Sequence, residues 1–238
     1  GIDAELIQGR GAAVVFVLDI SASMDAEDVL PSRLERAKLT ALDILEAMDG
    51  ALVGLVVFAG EAVVQLPLTD DVSTAQLFIN AANSTNMTRQ GTSIGLALDL
   101  AASVVDERVT GEALVVLMTD GEDQRIDPLP AASALAERRI KLHVIGYGTP
   151  EGDLIPVRDK NGVVTGVKAD RAGSIVITKL DEPLLQALAE AGEGVYQRAD
   201  TTGVESVAVI EAVRDLELGS LGARLRTVSV PRFGIFVA

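Results

Sequence analysis

The stretch Val14–Met24, VVFVLDISASM, is an apolar run that ends abruptly in a carboxylate and two hydroxyls. No polar residue interrupts Val14–Leu18, which is typical of a strand buried on both faces of a sheet. Asp19, Ser21 and Ser23 follow at alternate positions, and such side chains can converge on one point just past a strand end. They offer only oxygen ligands, which suit a hard cation such as Mg²⁺. Taken alone, the pattern fits a metal site and a helix-capping loop about equally well.

Composition narrows the class of protein. The chain has 238 residues, 48% of them hydrophobic, which is enough for one α/β domain with or without a small appendage. A formal net charge of −15 argues against nucleic acid or an anionic membrane surface as the partner. The absence of cysteine from the sequence excludes disulfides, thiolate metal sites and a cysteine nucleophile. No apolar stretch reaches the roughly 18 residues of a transmembrane helix, so we expect none within this sequence.

Apolar runs typical of buried strands alternate along the chain with segments of helical periodicity. The predicted strands are 14–20, 52–59, 62–68, 114–118, 142–147 and 195–196, and the predicted helices are 34–48, 70–83, 92–105, 130–139, 181–192 and 204–216. Ser32 and Glu35 fit a capping box at the start of the first helix. The link Gly60-Glu61 is so short that the second and third strands must be antiparallel. The alternation otherwise predicts an α/β fold, a doubly wound, mostly parallel sheet with right-handed crossovers.

One segment, Thr149 to Lys179, breaks this alternation. It contains Asn161-Gly162, a strong hairpin-turn signal, between short runs of valine and isoleucine. We therefore predict a β-hairpin insertion at about 149–180, leaving from the edge of the sheet. Its role is either structural decoration or partner contact, and decoration is the simpler hypothesis from the sequence alone.

Three loops with oxygen-bearing side chains are predicted to meet at one place. In open α/β sheets, ligands bind beyond the carboxyl ends of the strands, where the winding reverses. If the first strand is central, Asp19 and Asp120 flank that point, because Asp120 follows the strand ending at Met118. Thr92, at the start of an intervening helix, can reach the same crevice. Capping alone does not explain three such loops, so the metal site becomes the favoured interpretation.

These residues resemble the metal-ion-dependent adhesion site (MIDAS) of von Willebrand factor type A (VWA) domains. That motif is DxSxS, then a threonine, then an aspartate, and DISAS at 19–23, Thr92 and Asp120 match it in order. The chain further resembles bacterial membrane-anchored proteins of the Bat (aerotolerance) type. The stretches that carry this resemblance are LPSRLERAK at 30–38, GLVVFAGEAVVQLPLT at 54–69, GTSIGLAL at 91–98 and GTPEGDLIPVRDKNGVVTG at 148–166.

The resemblance implies a Rossmann-like VWA fold with strand order 3-2-1-4-5-6, in which strand 3 is antiparallel. It implies Mg²⁺, with Mn²⁺ or Ca²⁺ as alternatives, held by Asp19, Ser21, Ser23, Thr92 and Asp120. The ion would bind an acidic side chain of another protein, and no enzymatic activity is implied. In such relatives the VWA domain is flanked by transmembrane helices. This implies an extracytoplasmic VWA domain at 1–218 and a C-terminal segment at 219–238 that leads into such a helix. The stretch Pro231–Ala238 resembles the start of that helix.

Two other functions remain as alternatives. A strand-end aspartate with Mg²⁺ also suits phosphoryl transfer, as nucleophile or as metal ligand. However, no second carboxylate follows two residues after Asp19, and neither GxxxxGK[ST] nor GxGxxG occurs. The only histidine, His143, is predicted inside a strand and not at its carboxyl end. The third hypothesis is a structural scaffold whose metal site is idle.

Five further acidic residues lie near the site in the sequence: Asp25, Glu27, Asp28, Glu122 and Asp123. Such residues either support the metal ligands through hydrogen bonds or form a solvated rim. We predict a rim position for Glu27 and Asp28, and both roles remain open for Asp25 and Asp123.

Overall fold

Six of the ten strands form one sheet in the computed structural model of the protein, which describes residues 12–86, 91–105, 109, 112–122, 126–200 and 203–227. The strands are β1 (Ala13–Asp19), β2 (Leu52–Phe58), β3 (Ala62–Thr69), β4 (Ala113–Thr119), β5 (Ile140–Gly146), β6 (Asp153–Leu154), β7 (Pro156–Arg158), β8 (Val164–Val167), β9 (Ile177–Thr178) and β10 (Tyr196–Arg198). The order of the large sheet is β10-β5-β4-β1-β2-β3, and only β3 is antiparallel to its neighbour. The predicted fold class is confirmed; the sixth strand of the prediction is β10.

Helices cover both faces of this sheet. They are α1 (Arg33–Glu46), α2 (Val72–Ala81), α3 (Ile94–Val104), α4 (Leu129–Glu137), α5 (Glu182–Ala191) and α6 (Glu205–Thr227). Every residue of β1 is buried. Since successive side chains of a strand point to opposite faces, Phe16 packs in the core under α1, α2 and α6, and Val17 in the core under α3, α4 and α5. The uninterrupted apolar run of β1 is explained by these two cores.

Local hydrogen bonds set the helix boundaries. Ser32 caps α1 by accepting the N–H of Glu35 at 3.2 Å, while the Glu35 carboxylate accepts from Lys38 at 2.7 Å. Asp71 caps α2 through the N–H of Thr74 at 3.0 Å, so α2 begins at Val72 and the predicted start at 70 was too early. The last helix continues to Thr227, past its predicted end at 216.

The segment after β5 contains two short antiparallel ladders. β7 pairs with β8 around the Asn161-Gly162 turn, and β6 pairs with β9 outside them. The Asp159 carboxylate accepts the N–H groups of Asn161 at 2.8 Å and Val163 at 3.0 Å, which closes the turn. We call the segment 149–180 the insertion from here on.

Some predictions concern residues at the chain ends. The lead-in at 1–11 and the stretch Pro231–Ala238 lie outside the described residues. The division between 218 and 219 stays a prediction, and α6 runs through it. None of the helices in the described ranges combines the length and the apolar composition needed to cross a membrane.

His143 gives a pH-dependent prediction for the fold. It lies in β5, 5% exposed, and burial, followed by the nearby charge of Lys141, lowers its pKa from 6.5 to about 4. Below pH 6.5 the unfolded chain therefore binds a proton at this histidine, whereas the folded chain binds it only near pH 4. The stability that the neutral histidine contributes is lost as the pH falls from 6.5 to 4. We expect the free energy of unfolding to fall more steeply over this window in the wild type than in His143→Gln. Urea denaturation at several pH values checks this; parallel curves would contradict it.

Candidate metal centre

The turn after β1 brings the first three predicted ligands together. The N–H of Ser21 donates to Asp19 Oδ1 at 2.8 Å, and the hydroxyls of Ser21 and Ser23 lie 2.9 Å apart. A short 3₁₀ turn, Ala22–Asp25, follows, and Met24 N donates to the Ser21 carbonyl at 3.1 Å. Asp19, Ser21 and Ser23 are all buried, although their side chains are polar. The turn thus concentrates oxygen atoms at the carboxyl end of the central strand.

Asp120 reaches the same place from β4. Since β4 is the parallel neighbour of β1, their carboxyl ends lie side by side at the point where the winding reverses. Thr119 donates its hydroxyl to Asp19 Oδ2 at 2.5 Å, which links the two strand ends directly. Asp120 is fully buried, and its Oδ1 accepts the N–H of Glu122 at 3.1 Å.

The two buried carboxylates disfavour each other's ionisation. Burial, and after it the negative charge of Asp120, raises the pKa of Asp19 to about 7. Burial also raises the pKa of Asp120, against the opposing effects of the Arg33 charge and the Ser23 hydroxyl. Two buried carboxylates with two serine hydroxyls form a donor set that fits a hard divalent cation, whose charge favours the ionised form of both acids.

Thr92 lies just before α3, whose predicted start at 92 was two residues too early. It is 5% exposed and stands two residues before Ile94, the first residue of α3. α3 packs on the face of β1 that carries Val17. The assignment of Thr92 as a ligand stays a prediction, as does the assignment of the other four residues.

Arg33 is the buried charged residue beside the candidate centre that the sequence alone did not single out. Its side chain is fully buried and forms a two-pronged ion pair with Asp28, with Nε to Oδ1 at 2.7 Å and Nη2 to Oδ2 at 2.8 Å. Nη1 donates to Asp120 Oδ2 at 2.9 Å. Arg33 therefore supplies a positive charge to one of the two candidate metal-binding carboxylates.

The remaining donors of Arg33 bind the end of the insertion. Nη1 donates to Thr178 Oγ1 at 3.0 Å and Nη2 to the Thr178 carbonyl at 3.2 Å. All five N–H groups of the guanidinium are thereby used. A signal was present in the sequence, because Arg33 stands four residues before Ala37 and so lies on the apolar face of α1.

The predicted rim position of Asp28 is wrong. Its side chain is 8% exposed, and besides Arg33 it accepts the N–H of Thr149 at 2.8 Å and the Thr149 hydroxyl at 2.9 Å. Burial acts to raise the pKa of Asp28, but Arg33 and Thr149 outweigh it, and the pKa lies below its ordinary value. Asp28 is a structural partner that joins α1 to the start of the insertion.

The other acidic neighbours have different environments. Glu27 is exposed and pairs with Arg158. Asp25 accepts the Ser84 hydroxyl at 2.6 Å, and burial raises its pKa. Glu122 accepts the N–H of Lys179 at 2.8 Å. Asp123 lies outside the described residues.

Within the described part of the chain, no group of three or more histidine, cysteine, aspartate or glutamate residues is arranged to hold a metal ion. A metal bound at the candidate centre therefore needs hydroxyl ligands in addition to its two carboxylates. The DxSxS turn is a source of such hydroxyls.

Comparison with known proteins places the chain among relatives of known fold. Residues 14–122 match the family model described as von Willebrand factor type A domain. The chain is similar to a crystal structure of the conserved hypothetical protein BatB from Bacteroides thetaiotaomicron, with 38% identity and a TM-score of 0.79, covering 87% of this chain and 98% of that one. It is also similar to an aerotolerance-related membrane protein from Bacteroides fragilis, with 35% identity and a TM-score of 0.79, covering 87% of this chain and 99% of that one.

Two more distant likenesses cover only part of the other protein. A UPF0353 protein from Mycolicibacterium paratuberculosis is 29% identical, over 80% of this chain and 56% of that protein. The chain thus spans about half the length of the curated relatives it matches. Proximal thread matrix protein 1 from the mussel byssus, described with a zinc-occupied MIDAS motif, is 21% identical with a TM-score of 0.62, over 87% of this chain and 47% of that one.

Proposed function

The chain belongs to the von Willebrand factor type A domain family, and from that premise we propose that its metal centre binds an acidic side chain of a partner protein through a divalent cation. VWA domains generally mediate metal-dependent protein interactions, and they commonly bind a divalent cation at the MIDAS. The observation that carries the proposal is the meeting of two buried carboxylates and two serine hydroxyls at the carboxyl ends of β1 and β4.

In this proposal five side chains hold the ion: Asp19, Ser21, Ser23, Thr92 and Asp120. Mg²⁺ is the proposed ion because all five offer oxygen, with Mn²⁺ and Ca²⁺ as alternatives. When bound, the cation supplies an electrophilic position for a carboxylate. Arg33 already neutralises part of the charge on Asp120, so the protein offsets less of the positive charge of the ion. A partner carboxylate is then attracted to the site even though the whole chain is acidic, because charges beyond about 8 Å are screened.

We further propose that the domain comprises residues 1–218 and works outside the cytoplasm in a membrane-anchored bacterial protein, with residues 219–238 leading towards a membrane helix. The likeness to a Bacteroides fragilis protein whose description calls it a membrane protein supports this. Protease protection of the natural full-length protein in spheroplasts tests it; protection from protease added outside would contradict it.

Asp19→Asn is expected to abolish most Mg²⁺ binding, because it removes the charge that is not paired with an arginine but keeps the shape of the side chain. The loss should exceed the roughly 10–100-fold that removal of an outer hydrogen-bond partner causes. Isothermal titration with Mg²⁺ measures it, and circular dichroism establishes that the variant is folded. Asp70→Asn, at an exposed position, is the matched control and should bind Mg²⁺ like the wild type.

Partner binding is tested with the same two variants. Crosslinking in Mg²⁺ and in EDTA should recover a partner only with Mg²⁺, and only from the wild type and Asp70→Asn. Recovery that does not change with EDTA would contradict the proposal.

Proteins of this family are generally interaction domains, and we propose no catalytic activity. Mg²⁺-dependent phosphate-ester hydrolysis that Asp19→Asn loses would favour the phosphoryl-transfer alternative. A gain in melting temperature with Mg²⁺ and no metal-dependent partner would favour the scaffold.

A further inference from the structure

The insertion exposes an unusual share of large apolar side chains. Of the 18 large hydrophobic residues exposed within the described ranges, seven lie between 154 and 177: Leu154, Val157, Val163, Val164, Val167, Ile175 and Ile177. Leu154 and Ile177 are cross-strand partners in the β6–β9 ladder, so their side chains share a face, and Ile175 is two residues from Ile177. Contiguous patches of exposed apolar side chains are typical of interaction sites.

The insertion is attached directly beside the candidate metal centre. Thr178 Oγ1 lies 3.4 Å from Asp120 Oδ2, and the N–H of Lys179 donates to Glu122 at 2.8 Å. At the other end, Thr149 donates to Asp28, which Arg33 holds. Arg158 pairs with Glu27, four residues after Ser23. The insertion is therefore fixed to the metal-binding loops at both ends and through β7.

The charge of the insertion differs from that of the rest of the chain. It contains five basic and four acidic residues, against 20 and 35 in the whole sequence. Two of its acids, Asp159 and Asp170, accept backbone N–H groups within their own turns. Lys160 and Arg171 stand in these two turns and are exposed. An acidic partner is thus repelled by most of the protein but not by the insertion.

We propose that the insertion is the part of the binding surface that selects the partner. The partner is a protein segment that gives one carboxylate to the metal and carries apolar and further acidic side chains next to it. This inference rests on the function proposed above. The apolar side chains contact Leu154, Ile175 and Ile177, and the acidic ones approach the lysines and arginines of the insertion. Rim charges steer the encounter and the apolar contacts slow dissociation.

The test uses the whole chain and three sets of synthetic 12-residue peptides. Each peptide has one central aspartate, flanked by leucine and glutamate, by leucine and lysine, or by serine alone. Fluorescence anisotropy in Mg²⁺ and in EDTA measures affinity. We expect Mg²⁺-dependent binding at least tenfold tighter for the leucine–glutamate set than for the serine set, with the leucine–lysine set between them.

Substitutions in the insertion test whether its apolar side chains cause the preference among the peptides. Ile175→Ser with Ile177→Ser should remove the gain in affinity that leucine gives, so that the leucine–glutamate set keeps only the smaller gain from its charge, while Mg²⁺ binding and the residual aspartate-dependent binding remain. The matched control, Val207→Ser with Leu218→Ser, changes exposed residues on α6 and should alter nothing. A gain from leucine that survives the insertion variant, or no preference in the wild type, overturns the inference alone. Failure of every peptide to bind in Mg²⁺ overturns the proposed function itself. If the insertion variant changes only self-association in sedimentation, the surface joins two copies of the chain and the inference is wrong.

Discussion

Arg33→Met is expected to lower the free energy of unfolding by about 3–5 kcal/mol, the cost typical of removing one partner from a buried ion pair. The variant keeps the bulk of the side chain but leaves the carboxylates of Asp28 and Asp120 without their cation. The Thr178 carbonyl also loses the donor that it has in Nη2. Urea denaturation followed by circular dichroism measures the change.

Lys38→Met is the matched control for this prediction. It removes a cation from the same helix, but Lys38 pairs with Glu35, whose side chain is 53% exposed. Pairs of this kind contribute about 0–1 kcal/mol. Arg33→Lys should remain close to Arg33→Met, since an ammonium cannot reproduce the fork that binds Asp28. Equal free energies of unfolding for the Arg33 and Lys38 variants would show that the buried ion pairs of Arg33 contribute no more stability than the pair of Lys38 with Glu35.

Gly148→Ala is expected to lower the free energy of unfolding by about 3 kcal/mol or more and to disturb the candidate metal centre. Gly148 has φ +130°, a conformation that side-chain-bearing residues rarely adopt. A Cβ there would lie 2.8 Å from Cζ and 2.9 Å from Nε of Arg33. Movement of the guanidinium away from this Cβ would break hydrogen bonds, because all five of its N–H groups are paired.

Gly162→Ala is the control for the cost of the unfavourable backbone conformation. Gly162 has φ +80°, but a Cβ added there meets nothing within 4 Å, so the substitution reports the backbone strain alone, about 1–3 kcal/mol. Thermal and urea unfolding of both variants give the difference, which reports the contact with Arg33 together with the more extreme φ of Gly148. A Gly148→Ala protein that is as stable as Gly162→Ala, with unchanged Mg²⁺ affinity, would show that Arg33 adjusts freely.

Together these variants probe how the insertion is fixed to the loops of the candidate metal centre. Asp120 and Thr178 share one guanidinium group, so displacement of the insertion changes the charge environment of a candidate metal ligand. The same network holds Asp28 and, through it, Thr149. The surface proposed to select the partner and the residues proposed to bind the metal therefore form one connected structure.

The sequence alone determined the sheet and its helices, because their signals are local. The run at Val14–Leu18 predicted a doubly buried strand from side-chain alternation, and the short link Gly60-Glu61 required an antiparallel third strand. The resemblance to VWA domains implied the order of the strands, and the DxSxS turn at 19–23 was recognisable as a candidate site. Helix ends were predicted less closely, as at the start of α2, since they depend on single capping bonds such as that of Asp71.

Only the tertiary structure decided what Arg33 and Asp28 do. The partners of Arg33 lie 87 and 145 residues away in the sequence, at Asp120 and Thr178, and Asp28 reaches Thr149 across 121 residues. No local pattern records contacts of that separation. A charged residue is expected at the surface because its burial is costly, and burial becomes favourable only when the fold supplies a partner for every donor.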